Sequence, residues 1–180
     1  MERVGYLRTV RFGEKYLGAI MITDPRAVPK EVLYTEPIIP TSIQRILYGG
    51  VLESYLREEI LSAHLLREIK TKPGVYIVHH DELALAGQLG GTPSVAVQAT
   101  HIASLGEGGE IRRVNPDEVL VQPMANADPL RFIFGSSDPG VQEEIIHELI
   151  ELSRSMDIAE PLERIERALE VLCEGRSDEP

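Results

Sequence analysis

The chain has one cysteine in 180 residues, no tryptophan and three phenylalanines. A lone Cys173 excludes a disulfide framework and the paired-cysteine spacing of a zinc knuckle, and it fits a reducing cytoplasm. No apolar run approaches the roughly 18 residues that a membrane span needs. The first residues, Met1 to Arg8, lack the apolar stretch of a secretory signal. Several chemical signatures are absent as well. There is no Gly-x-Ser-x-Gly elbow, no His-Glu-x-x-His pair and no Gly-Lys-Ser/Thr ending of a phosphate loop. Aromatics make up 5% of residues and nowhere interleave with a basic cluster. Nucleic acid is therefore not an expected partner, and neither is a membrane.

What is present bounds the architecture. A chain of this length buries about 70% of its unfolded surface, enough to fold without metal or disulfides. The formal charge of −11 is uneven. Residues 138 to 180 carry 13 acids and 4 bases, whereas residues 1 to 72 carry 11 bases and 9 acids. The acidity belongs to the C-terminal part. There is no internal repeat.

Residues 41 to 69 form the most apolar helical stretch. Pro40 precedes it, Thr41 with Gln44 has capping-box spacing, and Lys70 to Gly74 ends it. Apolar side chains recur in steps of three and four, among them Ile43, Ile46, Leu47, Val51, Leu52, Tyr55 and Leu56. The stripe is wider than the ~100° of a surface helix: the plainer reading is a central core helix with a kink, the sharper one that part of the stripe faces a second subunit. Gly49-Gly50 marks either a break or the close approach of another backbone.

Around this helix the pattern predicts a hairpin over residues 4 to 23 with a three-residue loop. Its first arm, with Arg3, Arg8 and Arg11, reads as a charged edge strand. Short strands follow near 31–36, 74–78, 94–102, 110–114, 119–122 and 130–134. Pro37-Ile-Ile-Pro40 reads as a packed linker. Two helices close the chain, the first capped by Asp138 with Pro139, the second bearing Ile158, Leu162, Ile165, Leu169 and Leu172 at coiled-coil spacing. The expected fold class is α+β: a mixed or mostly antiparallel sheet around a long central helix, with a C-terminal helical hairpin. The expected division is a core at 1–137, the hairpin at 138–174 on the core or on a partner, and a tail at 175–180.

Two clusters carry candidate chemistry. His79-His80-Asp81-Glu82 follows a buried strand, where loops commonly carry ligands. Strand alternation would pair His79 with Asp81 and His80 with Glu82, and His101 and Asp24 could complete a divalent metal site that activates water. The plainer reading is a polar strand exit. The glycine-rich Ala86 to Pro93 could cradle phosphate through backbone amides, but it precedes a strand and reads better as a connecting loop. Ser136 and Ser137 suit a helix start.

These features lead to an interaction or assembly protein that self-associates. Its interface would use Val51, Leu52, Tyr55, Leu56, Leu162, Ile165, Leu169 and Leu172. The expected partner is self or another protein, and no cofactor is expected. The alternative is a metal-dependent hydrolase or nuclease-like enzyme at the His79–Glu82 cluster, with a divalent metal.

Overall fold

The computed structural model describes residues 1–83, 89–125, 127–135 and 138–175. Ser136, Ser137, part of the glycine-rich loop and the end of the tail lie outside the described residues.

Nine residues, buried almost continuously from Val4 to Val10, form β1 (Val4–Phe12), which turns tightly into β2 (Lys15–Thr23). Phe12 pairs with Lys15, so the loop is the two residues Gly13 and Glu14, one shorter than the pattern predicts. Gly13, at φ 61, supplies the left-handed backbone. After β3 (Pro29–Tyr34) and the helical stretch come β4 (Val75–Val78), β5 (Ser94–Ala99), β6 (Ile111–Asn115), β7 (Glu118–Val121) and β8 (Leu130–Phe134). They make one eight-stranded mixed sheet in the order β3-β2-β1-β4-β5-β8-β7-β6. β1, β4 and β5 run parallel, and the other pairings are antiparallel. The mixed α+β class holds.

β1 is not an edge. It lies between β2 and β4, and the edges are β3 and β6. The arginines of β1 misled because they serve partners inside the fold and do not repel other strands.

Helices cover both faces of the sheet. On one, Val4, Tyr6 and Val10 pack with Ile145, Ile146 and Leu149 of α4 (Pro139–Ser153) and with Ile165 and Leu169 of α5 (Glu160–Cys173). On the other, Leu7, Ile20, Ile22 and Val78 meet Leu65, while Tyr16 meets Leu52, Leu56 and Leu61. Coverage of both faces explains the continuous apolar run of β2. Gly18 in β2 admits the helical layer closely: a Cβ there would lie 3.1 Å from Leu65 and 3.4 Å from Leu61.

A single long central helix is not what forms. Thr41 caps α1 (Ser42–Tyr48) through the expected box, its Oγ1 accepting from Gln44 N at 3.2 Å and its N donating to Gln44 Oε1 at 2.8 Å. Gly49, at φ 51, ends α1. A 3-10 turn (Gly49–Val51), α2 (Leu52–Tyr55), a π-helical segment (Leu56–Ser62) and α3 (Ala63–Glu68) then follow. A Cβ at Gly49 or Gly50 would meet nothing within 4 Å, so these glycines break the helix and admit no neighbour. The break turns the apolar side of α1 away from the sheet. Ile43, Ile46 and Leu47 stand 68%, 79% and 76% exposed. In the linker Ile38 is half-buried and bridges to Tyr16, while Ile39 is exposed.

The residues assigned to an interface serve mostly inside the chain. Leu52, Leu56, Ile165 and Leu169 are buried in its own core, Tyr55, Leu162 and Leu172 are half-buried, and Val51 is exposed. Burial against the sheet explains the width of the stripe beyond Gly50 and the seam of α5. Among the described residues no helix is long and apolar enough to cross a membrane.

Candidate functional site

β1 and β4 run side by side with Leu7 opposite Val78. Where β4 stops, His79 and His80 therefore emerge beside Arg8 and Thr9. Loops beyond the carboxyl ends of adjacent parallel strands are the usual ligand positions of such sheets. Here the chain does not stay extended. Residues 80–83 form a 3-10 turn, with Glu82 N donating to His79 O at 2.9 Å. The strand alternation expected for His79 to Glu82 therefore fails, and the turn swings Glu82 inward to 2% exposure.

Glu82 is the hub of the site. Its Oε1 accepts from Thr9 N at 3.0 Å, Thr9 Oγ1 at 2.8 Å and Arg8 Nη1 at 3.4 Å. Arg57 Nη2 lies 3.5 Å from the same oxygen. A buried carboxylate keeps its charge only with this kind of pairing. Its Oε2 is buried without a hydrogen-bond partner, 4.0 Å from His79 Nδ1.

Arg57 comes from the opposite side, on the π-helical segment. Such wide turns recur at functional sites. Its Nε donates to Thr9 Oγ1 at 2.9 Å and its Nη2 to Thr9 O at 3.1 Å. Its Nη1 makes only looser ion pairs, 3.8 Å each, with Glu53 and Asp81. Asp81 Oδ2 also lies 3.3 Å from His79 Nδ1, and Glu53 is held at 3.0 Å by Arg11. These groups border a cleft of about 400 Å³, lined by Thr9, Glu53, Arg57, Glu58, His80 and Asp81 among others.

The other proposed ligands stand apart. His101 lies beyond the end of β5, 95% exposed, with Nδ1 3.8 Å from Asp128. Asp24 stabilises the turn after β2, its Oδ1 accepting from Arg26 N and Val28 N. The Lys30 ammonium, 3.0 Å from Oδ2, leads in holding the Asp24 carboxyl down at about 2, and the two backbone donors add to this. Sequence reasoning missed Thr9 and Arg57. The cationic character of the first arm was a signal for Arg8, but nothing in the helical pattern singled out Arg57.

The side chains do not fit a divalent cation. Glu53, Asp81 and Glu82 are each engaged by one or more of Arg8, Arg11 and Arg57, while Glu58 also lines the cleft and Glu166 shares Arg8. Divalent sites gather several oxygens around one point, free of competing cations. Among the described residues no group of three His, Cys, Asp or Glu is placed to hold a metal ion.

No protein family matches the chain by sequence, and no curated protein matches it. Solved structures do. Endonuclease V of Bacillus subtilis is 16% identical with a TM-score of 0.61, over 98% of this chain and 82% of that one. Endonuclease V of Streptomyces avermitilis is 16% identical with a TM-score of 0.63, over 97% and 83%. A Ciona intestinalis Endonuclease V variant is 12% identical with a TM-score of 0.60, over 96% and 86%. That last structure is a complex with a 23mer DNA containing an inosine followed by a ribo-adenosine. At these identities the likeness shows the fold.

The likeness corrects two expectations. An assembly protein was inferred from the absence of a catalytic motif and from the wide apolar stripe, yet the fold is shared with nucleases. Nucleic acid was set aside because no basic cluster with aromatics appears, yet a structure of the same fold holds DNA. Both inferences drew on linear patterns, whereas this fold assembles its site from β1, the helical stretch and the end of β4.

Proposed function

We propose that this protein acts on nucleic acid as a nuclease-like protein, and that the strand lies across the cleft between β1, the π-helical segment and the end of β4. The observation that carries this is the likeness to Endonuclease V over nearly the whole chain, with the cleft at the carboxyl ends of the parallel strands. The chemistry of the cleft agrees. Arg57 Nη1 faces it without a close hydrogen bond, and a guanidinium is suited to phosphate oxygens. His79 and His80, half-buried and exposed, add donors at the rim.

Glu53, Asp81 and Glu82 are each held by an arginine, so the reading rests on strand binding and on no metal-assisted step. Fluorescence anisotropy with labelled single-stranded DNA, duplex DNA and RNA, with and without inosine, tests the reading. At least one strand type binds with a Kd of roughly 1–100 µM, the range of sequence-independent contacts. Arg57→Glu weakens it at least tenfold. Absence of binding to every strand would refute the reading.

A further inference from the structure

We infer that the cleft holds a phosphodiester through the Arg57 guanidinium and not through a divalent ion, and that it binds the strand without cutting it. This rests on the reading of the cleft as a nucleic-acid site. The argument starts from three acids that come together from separate parts of the chain: Glu53 from α2, and Asp81 and Glu82 from the turn after β4. Arg57 is the one cation that touches all three, at 3.8, 3.8 and 3.5 Å. It thus ties together three acids that, among the described residues, are not by themselves placed to hold a metal ion.

Its placement is built into the fold. Thr9 fixes Nε and Nη2 through its hydroxyl and its carbonyl. The Thr9 hydroxyl donates in turn to Glu82, so one β1 residue locks both the buried acid and the arginine. Only the Nη1 end remains open, and it points at the cleft wall formed by Glu53 and Asp81. Nη1 can leave these loose pairs and donate to a phosphate oxygen. A guanidinium offers charge and directed donors, but it carries no exchangeable water to be made into a nucleophile. The site therefore keeps the binding role of a cation and lacks its hydrolytic one.

The inference predicts behaviour of the protein without any nucleic acid. Manganese titrated into the full chain, read by electron paramagnetic resonance, stays free in the wild type and in Arg57→Lys. In Arg57→Ala, with circular dichroism as the check on folding, strand binding weakens at least tenfold while Mn2+ still stays free. Strand binding by the wild type is the same in EDTA as in Mg2+, within twofold, and labelled strands stay intact in both. One tightly held Mn2+ on the wild type, a loss of strand affinity in EDTA, or metal-dependent cleavage would overturn it. Should Arg57→Ala not fold, the wild-type and Arg57→Lys titrations decide. If no strand binds at all, the nucleic-acid reading fails, while the manganese titration still judges whether the cleft takes a metal ion.

Discussion

Glu82 binds the site together, and its removal is the sharpest test at the scale of single residues. Its carboxylate is buried and shared by Thr9, Arg8 and Arg57. Taking away one partner of a buried charge network costs roughly 3–5 kcal/mol, because the remaining charges are left uncompensated. Glu82→Ala should therefore lower the melting temperature by about 10 °C in differential scanning calorimetry. Glu82→Gln, which keeps an acceptor for Thr9, should lose less. Asp24 gives a pH test with a definite sign. Its folded pKa of about 2 lies below the ordinary 3.8, so its stabilising effect is complete above pH 4 and is lost as the pH falls through 2. The gap in melting temperature between wild type and Asp24→Asn should be constant from pH 7 to 5 and close near pH 2. The sequence drew attention to residues 79 to 82 because two histidines and two acids follow a buried strand. It could not show that a 3-10 turn would bury Glu82, nor that Arg57, about 25 positions earlier, would face it. That pairing exists only once the helical layer is laid on β1.

At the scale of elements, the helical stretch separates what a sequence pattern conveys from what it does not. The start at Thr41 was legible because capping is local chemistry. The fate of the apolar stripe was not, since a helical period says which residues share a face and is silent on what that face meets. Beyond Gly50 the stripe meets the sheet, and before it the stripe meets solvent. α1 has no buried residue, so its stability is its own. Thr41→Ala should speed amide hydrogen exchange throughout α1, while the global melting temperature moves by less than 2 °C. The helical layer below it behaves oppositely. Gly18→Val would press its Cβ against Leu65 and Leu61 and should cost about 1–3 kcal/mol, read by urea unfolding.

For the whole molecule, the class was legible and the topology was not. The strands, turns and closing helices follow from local patterns. The central pairing of β1 with β4 joins segments some 70 residues apart and leaves no local mark. Charge is the other property of the whole. Most of the excess acid lies on α4 and α5, which cover one face of the sheet, while the cleft draws on the helical layer of the other face. On the proposed nucleic-acid reading, a strand approaching the acidic layer is repelled over distances comparable to the Debye length, about 10 Å at 0.1 M salt. Encounter is therefore a matter of direction as well as distance. Added salt shields the wrong face more than it weakens a contact made through one arginine. In stopped-flow mixing, the association rate should rise as ionic strength goes from 10 to 100 mM, the reverse of the slowing seen when opposite charges steer a protein to its strand.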